Sequence, residues 1–188
     1  MNPRPIRFDG WDEAYGQLDS ERVRATFTGV PTGVVAVAAV VEDAATVMVA
    51  TSFAPGVSFD PPMASLAVQT RSSTWPRLRR APRLGVSILG AAHGDSVHQL
   101  ASRNAAARFD GIEYTELPSG AVTLYDSPVW LECEVRAEHP AGDHLLVVLE
   151  IIGSSLAPEH PPLIRHDAAF GTFRRGEART DGSAAASS

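Results

Sequence analysis

The sequence predicts a mainly β protein, an antiparallel barrel with a few short helices at its periphery. Short segments rich in Val, Ala and Ile recur along the chain, and Gly, Pro and Asp separate them. These segments amount to roughly six to eight strands, and helices do not alternate with them as they do in a β-α-β protein. The chain has 188 residues, of which 44% are hydrophobic, so it is the size of one domain and can build a core.

The first elements of the chain are predicted to be a short helix and two strands. The Asp19-Ser20 pair can cap a helix that carries Val23 and Phe27 inward. The glycines of GVPTG end that helix. The segment that follows, GVVAVAAVVEDAATVMVA, contains two β-branched apolar runs around Glu-Asp and predicts a strand, a turn and a second strand.

The stretch TSFAPGVSFDPP, residues 51–62, is predicted to be a shaped loop that holds a ligand. A tight hairpin uses a two-residue turn such as Asn-Gly, whereas this connection is long and ends in a stiff Asp60-Pro61-Pro62. Its hydroxyls and backbone N–H groups could bind an anion or the polar edge of a planar ring. The alternative is a turn that caps its own backbone.

The second half of the chain is predicted to hold most of the remaining strands. Hydroxyl residues in SST precede a short helix with Trp75 and Leu78 on one face. A second helix is predicted over 93–102, followed by a turn over 105–109. Strands are predicted at ASLAVQ, at LGVSIL, over 122–124, and in a hairpin of 129–138 with 145–152.

The ends of the chain are predicted to lie outside the folded domain. We expect an irregular N-terminal arm over 1–17, a domain over 18–175 and a disordered tail over 176–188, which ends in GSAAASS. The first residues form no apolar signal segment. The longest apolar run, Val34 to Val41, is too short to cross a bilayer. We therefore expect a cytoplasmic protein that has no membrane association.

Composition excludes several classes of protein. The formal net charge is −6 and all 16 basic residues are arginine, so a P-loop and a Schiff-base lysine are both absent. The basic residues are too few and too scattered to predict a nucleic-acid surface. The single cysteine, Cys133, lies in an alternating strand and is expected to pack in the core. The histidine spacing matches no metal motif, so no metal site is expected.

Two further stretches could carry chemistry. Arg71-Ser72-Ser73-Thr74 lies at a strand-to-helix junction, where it could bind a phosphate or simply cap the helix. Gly142-Asp143-His144 lies in the turn between the two long C-terminal strands. There Asp143 could orient His144 toward a groove, or the histidine could simply be solvated.

The order of these motifs resembles the flavin reductase-like family, the short-chain reductases of the FMN-binding split barrel. The resemblance spans residues 20–173 and is carried by FTGVPTGVVAV, TSFAPGVSFDPP, SST, VSILG, ARFDG, LECEV, GDH and PPLIRHDAAFG. It implies a six-stranded antiparallel split β-barrel of Greek-key topology, usually a homodimer. The sequence has Val47, Val49 and Ser87 where the family tends to have Gly, Thr and Asn.

The resemblance also implies which residues contact the ligands. His144 is expected near the nicotinamide of NADH or NADPH, as the catalytic residue. The expected flavin-binding residues are Thr51, Ser52, Phe53, Ser58, Pro61, Ser72, Ser73, Thr74, Ser87, Arg108 and Phe109.

The function implied is NAD(P)H-dependent reduction of FMN or FAD, with the reduced flavin passing to a partner monooxygenase. In such enzymes the cofactors carry the chemistry and the protein orients them. Three alternatives remain open at this point: a flavin carrier or sensor, a flavoprotein with its own organic substrate, and a haem-binding barrel.

Overall fold

The computed structural model describes residues 19–173, and an antiparallel sheet of seven strands forms its centre. The predictions for 1–17 and 176–188 lie outside the described residues. The strands are β1 (Thr32–Gly33), β2 (Val35–Val41), β3 (Ala44–Ala50), β4 (Phe53–Phe59), β5 (Pro62–Gln69), β6 (Leu84–Ile88), β7 (Tyr114–Glu116), β8 (Val122–Leu124), β9 (Val129–Ala141), β10 (His144–Leu156), β11 (Leu163–His166) and β12 (Ala169–Thr172). The central sheet has the order β3-β2-β6-β9-β10-β5-β4.

The central sheet curls around one apolar core. Residues of all seven strands pack into the same cluster, from Val37 on β2 to Leu66 on β5 and Phe53 on β4. The curl brings β3, an edge strand, into contact with β5, the sixth strand in the order. Strands that are distant in the order can share a core only if the sheet bends, because a flat sheet would hold them far apart.

The helices among the described residues are short. They are α1 (Ser20–Thr28), α2 (Trp75–Leu78), α3 (Val97–Leu100) and two 3₁₀ helices, Ala91–Ser96 and Ala105–Ala107. The buried side chains of α2 belong to the inner cluster, whereas those of α3 join β8 in a second cluster on the outer face. Separate ladders join β7 to β8 and link β1, β11 and β12. No helix in residues 19–173 is both long enough and apolar enough to span a membrane.

The predicted mainly β, antiparallel architecture is confirmed, whereas the predicted six-stranded split barrel is not. The central sheet has seven strands, and no ladder among the described residues joins its two edges, β3 and β4. The seventh strand is β4, which lies within the stretch predicted to be a loop.

The loop predicted over residues 51–62 is instead largely the strand β4. It pairs with β5 across a tight turn that contains the cis peptide Asp60-Pro61, and the register shifts between Pro55 and Ser58. Proline donates no hydrogen bond, so Pro55 is tolerated because β4 is an edge strand whose ladder is already irregular there. Pro55 and Gly56 lie in this bulged edge strand, whereas Pro61 lies in the turn and Pro62 begins β5.

The helix predicted after Asp19 forms, but it does not point its apolar residues inward. The Asp19 carboxylate accepts a hydrogen bond from the Arg22 amide at 2.8 Å, as expected of an N-cap. No residue of α1 is buried, and Phe27 is 67% exposed. The Asp167 amide donates a hydrogen bond to the Thr28 carbonyl at 2.9 Å, and this bond attaches the end of α1 to the β11–β12 turn. The helix predicted over 93–102 is also divided, into a 3₁₀ turn and α3.

Candidate functional site

A groove with a volume of about 520 Å³ lies where β3 approaches the end of β5. Its apolar side chains come from the second half of β3, the end of β5 and the end of α3. Its polar side chains come from the connection between β5 and α2 and from the segment after α3. The lining residues are Met48, Val49, Ala67, Val68, Gln69, Arg71, Ser72, Ser73, Thr74, Leu100, Ala101, Arg103 and Arg108.

The groove is positively charged. Three arginines line it, Arg71, Arg103 and Arg108, and none of its described lining residues is acidic. The Nε of Arg71 donates to the Gln69 side chain at 2.8 Å, which holds this guanidinium beside the groove. Guanidinium groups and hydroxyls are common partners of phosphate. The groove can therefore hold a phosphorylated ligand beside an apolar wall.

Arg108 is fixed by three hydrogen bonds to different segments. Its guanidinium donates to the Ser102 carbonyl at 2.8 Å, the Val47 carbonyl at 2.6 Å and the Thr74 hydroxyl at 3.0 Å. Burial, and then the nearby charge of Arg77, lower the pKa of Arg108, but an arginine stays protonated. Arg108 therefore joins β3 to the start of α2 and supplies a fixed positive charge at the groove.

The three hydroxyl residues before α2 share the same wall of the groove but have different partners. The Ser72 hydroxyl accepts a hydrogen bond from the Trp75 amide, the first of α2, at 3.1 Å, and Thr74 occupies the N-cap position. Thr74 is the acceptor for Arg108, and Ser73 lines the groove beside them. The Trp75 ring is buried, and its Nε1 donates to the Glu138 carboxylate at 2.9 Å, which anchors this segment against β9.

The turn between β9 and β10 lies beside the groove and is bonded to its rim. The backbone carbonyl of Asp143 accepts from both the amide and the hydroxyl of Thr70, each at 3.0 Å. His144 pairs with Gln69 across the β5–β10 ladder, and Gln69 lines the groove. The positive φ of Gly142, 63°, allows the turn. The turn is thus attached to the groove through Thr70 and Gln69, and His144 itself is not among the residues that line the groove.

The Asp143 and His144 side chains form a pair. The distance from Asp143 Oδ1 to His144 Nδ1 is 2.7 Å, and the hydrogen bond with His144, followed by its charge, lowers the pKa of Asp143. A proton held on Nδ1 leaves Nε2 available to an outside partner. Asp143 is therefore placed to orient His144, as the sequence suggested.

Thr51, Ser52 and Phe53 lie behind the groove instead of lining it. The Ser52 hydroxyl donates to the Ala67 carbonyl at 2.8 Å, and Ala67 lines the groove from the other side. Phe53 pairs with Leu66 and packs against the inner core. At the opposite end of the β4–β5 hairpin are Ser58 and Pro61, away from the groove lining.

Ser87 is placed elsewhere by the structure. It is fully buried, and its hydroxyl accepts a hydrogen bond from the Leu124 amide at 2.9 Å. Successive strand residues face opposite sides of a sheet. Val86 therefore faces the inner core and Ser87 faces β8 on the outside. Ser87 is a structural residue that attaches β8, and the groove does not include it.

A second cavity, of about 430 Å³, lies along the first half of β3. It contains Phe109, whose ring packs against Tyr114 with centroids 4.6 Å apart. The lining residues are Ala44, Ala45, Thr46, Val47, Arg77, Ala105, Ala106, Phe109 and Tyr114. Phe109, predicted to bind flavin, thus lines this neighbouring cavity and not the groove.

Sequence reasoning missed several groove residues. Arg103 was not singled out, although it lies five positions before Arg108 in the segment ASRNAAARF. Gln69 was seen only as the end of a strand. A second arginine near a predicted phosphate-binding arginine is the signal that could have identified Arg103.

Two reactive side chains outside the cavities described so far, Cys133 and His93, are buried. Cys133 is buried in the inner core as predicted, and burial raises the pKa of its thiol to about 12. His93 is also buried and its Nδ1 accepts from the Gly90 amide at 3.0 Å. Within residues 19–173 no three His, Cys, Asp or Glu side chains are grouped so that they could hold a metal ion.

The sequence of the chain is similar to those of several known proteins. The chain is 26% identical to a flavin reductase of Pseudomonas putida over 156 residues, which are 83% of this chain and 91% of that protein. It is 25% identical over 147 residues to HsaB, the reductase subunit of a flavin-dependent monooxygenase of Rhodococcus jostii, with 78% of this chain and 74% of HsaB covered.

A solved structure, the NADH:FAD oxidoreductase SgcE6 of Streptomyces globisporus, is similar with a TM-score of 0.74 and 25% identity, covering 92% of this chain and 100% of that one. Residues 27–174 match the flavin reductase like domain family. This match confirms the resemblance that the ordered motifs carry. The chain belongs to the flavin reductase like domain family.

Proposed function

We propose that this protein is an NAD(P)H:flavin oxidoreductase that reduces FMN or FAD and supplies the reduced flavin to a partner monooxygenase. The observation that carries the proposal is the arginine-lined groove of a chain of this family, which has an apolar wall and no acidic residue among its described lining residues. The names of the relatives, a flavin reductase and a monooxygenase reductase subunit, support the same activity.

The groove residues fit a flavin nucleotide. Arg71 and Arg103, with the hydroxyls of Ser73 and Thr74, would hold the phosphate, and Arg108 would add a fixed charge. The apolar side chains of β3, β5 and α3 would face the flavin ring.

The protein's part in the reaction is to bind and to orient. When bound, the flavin accepts a hydride at N5 from C4 of the reduced nicotinamide. His144, oriented by Asp143 at 2.7 Å, would contact the nicotinamide and hold it in place without transferring a proton. The apolar groove wall would exclude water from the reacting rings.

Further features of the family are proposed for this chain as well. The domain would extend over 18–175 and act as a homodimer in the cytoplasm. Six of the seven central strands would correspond to the Greek-key split barrel, because these strands share one core. The activity would be that of an EC 1.5.1-type flavin reductase.

The first experiment measures NADH and NADPH oxidation in air with FMN, with FAD or with no added flavin. Oxidation that requires added flavin is the expected result and identifies the preferred flavin and nucleotide. Flavin that stays bound through purification without any turnover of NADH or NADPH would overturn the proposal and favour a carrier or sensor. Turnover of bound flavin only with an organic substrate would favour a self-contained flavoprotein.

A further inference from the structure

We propose that the second cavity is an adenosine-binding site, which takes the adenine and ribose of a dinucleotide whose phosphates lie at Arg108. This inference rests on the proposed function, because the dinucleotides concerned are FAD and the reduced nicotinamide cofactor. It adds a site beyond the flavin groove and gives the chain a basis for preferring a dinucleotide to a mononucleotide.

The chemistry of the cavity suits an adenine. Four alanines, Ala44, Ala45, Ala105 and Ala106, leave a space with apolar walls, and its volume of about 430 Å³ is in the usual range of small-molecule pockets. The Phe109–Tyr114 ring pair offers an aromatic surface on which a planar base can stack.

The cavity also has polar groups for the rest of an adenosine. Arg77 extends into its lining and retains 38% side-chain exposure, so its guanidinium can reach a bound ligand. Its carboxylate partner, Glu42, is 3.9 Å away and is well exposed, which makes this a weak pairing. Arg77 can therefore contact a base face or a ribose oxygen.

The position of Arg108 connects the two cavities. Its Nη1 donates to the Val47 carbonyl on β3 and to the Thr74 hydroxyl before α2. Val47 lines the second cavity, whereas Thr74 lines the groove. Along β3 the order is therefore second cavity, Arg108, groove. A dinucleotide has the same order of parts, with adenosine, a charged pyrophosphate and then the reacting ring.

The test measures equilibrium binding of ADP, FMN and FAD by calorimetry, with no turnover required. For the unaltered chain we expect measurable ADP binding and FAD binding at least about fivefold tighter than FMN binding, the smaller end of what stacking one base contributes. Ala106→Trp fills the cavity from an exposed position and should abolish ADP binding while FMN affinity stays unchanged.

Two further variants make the result specific. Ala25→Trp, on the exposed helix α1 and outside both cavities, should bind all three ligands as the unaltered chain does. Tyr114→Leu removes the partly exposed ring and should weaken ADP binding about fivefold or more. The inference is overturned if the unaltered chain does not bind ADP, or if Ala106→Trp binds ADP undiminished.

The source of the adenosine is separated by substrate kinetics. If FAD occupies the site, Ala106→Trp removes the preference for FAD over FMN. If the nicotinamide cofactor occupies it, the variant raises the KM for NADH and has no effect with reduced nicotinamide mononucleotide. A chain that binds ADP but oxidises no NADH would retain the site and overturn the reductase proposal. A chain that oxidises NADH but binds no ADP would support the reductase proposal and overturn the adenosine site.

Discussion

Arg103 and Arg108 line the same groove, but only Arg108 is built into the fold. We predict that Arg103→Gln weakens flavin binding about three- to tenfold without changing the free energy of unfolding, because Arg103 is exposed.

Arg108→Gln should weaken flavin binding and also lower the free energy of unfolding by about 1–3 kcal/mol, because three acceptors lose their donor. Calorimetry and urea denaturation measure the two effects. If both variants bind flavin with unchanged affinity, the groove is not the site that binds the flavin phosphate.

His144 is predicted to act on the nicotinamide and not on the flavin. We expect His144→Ala to lower kcat/KM for NADH about tenfold, since misplacing a reacting group by a small distance reduces the rate, while the Kd for flavin stays nearly unchanged. His166→Ala, which alters an exposed histidine outside the groove lining, is the matched control. An unaltered rate in His144→Ala would remove this residue from the mechanism.

His93 should make stability depend on pH. Burial lowers the pKa of His93 from its usual 6.5, so the unfolded chain takes up this proton before the folded chain does. His93 therefore makes its full contribution to the free energy of unfolding above about pH 6.5. That contribution is lost as the pH falls from there toward the lower pKa of the folded state. His93→Gln should reduce this decline in urea denaturation measured between pH 5 and 8. Equal slopes for the two chains would contradict the prediction.

At the residue scale, the sequence predicted which side chains could carry chemistry better than it predicted their directions. Arg108, Ser73 and Thr74 do line one groove. Ser87 does not line it. Both faces of its strand are covered, so the sequence could not show which face Ser87 would take, and in the structure Ser87 faces β8. Only the packing of a distant segment decides such a case.

At the scale of elements, β6 and β8 approach each other closely at a glycine. A Cβ placed on Gly85 would lie 1.9 Å from the Val122 carbonyl oxygen, which is backbone and cannot rotate away. We predict that Gly85→Ala lowers the free energy of unfolding by about 3 kcal/mol or more, because overpacking displaces a strand. Gly153→Ala, where the nearest atom is the Glu132 side chain at 3.5 Å, is the control and should change stability little. Thermal or urea unfolding compares the two, and equal stability would show that β8 can shift without loss.

The elements that the sequence predicted well are those with strong local patterns. The β2–β3 pair and the β9–β10 hairpin have long β-branched runs around a turn, and both are present. The strand β4 was predicted as a loop because Pro55 and Gly56 are poor strand formers, and its pairing with β5 depends on tertiary context. The short strands β1, β11 and β12 pair over only two to four residues and carry no clear local signal.

At the scale of the whole molecule, the positive groove belongs to an acidic protein. The formal net charge is −6, so a flavin phosphate is attracted by the groove and repelled by the rest of the surface. The Debye length, the distance over which salt screens a charge, falls from about 10 Å at 0.1 M salt to about 3 Å at 1 M. We predict that the Kd for FMN rises with salt, because the short-range attraction to exposed arginines is the larger effect. Arg103→Gln should show a weaker salt dependence, and a Kd that is independent of salt would contradict an ionic phosphate site.

The architecture of the whole molecule was only partly readable from the sequence. Alternating patterns predict strands and antiparallel pairing, and both are observed. The order β3-β2-β6-β9-β10-β5-β4 joins segments far apart in the chain, and periodicity holds no information on such pairings. The groove exists because the curl of a sheet with this order brings β3 to the end of β5.

The bond between Arg108 and β3 has a consequence for solubility. The last strand at an end of a sheet presents unpaired backbone groups, which can recruit a strand from another molecule and begin aggregation. β3 is such a strand, and its Val47 carbonyl is already occupied by the Arg108 guanidinium. A charged side chain on the free edge of a strand opposes the addition of a strand from another molecule. Arg108 therefore also protects the folded protein from self-association along β3.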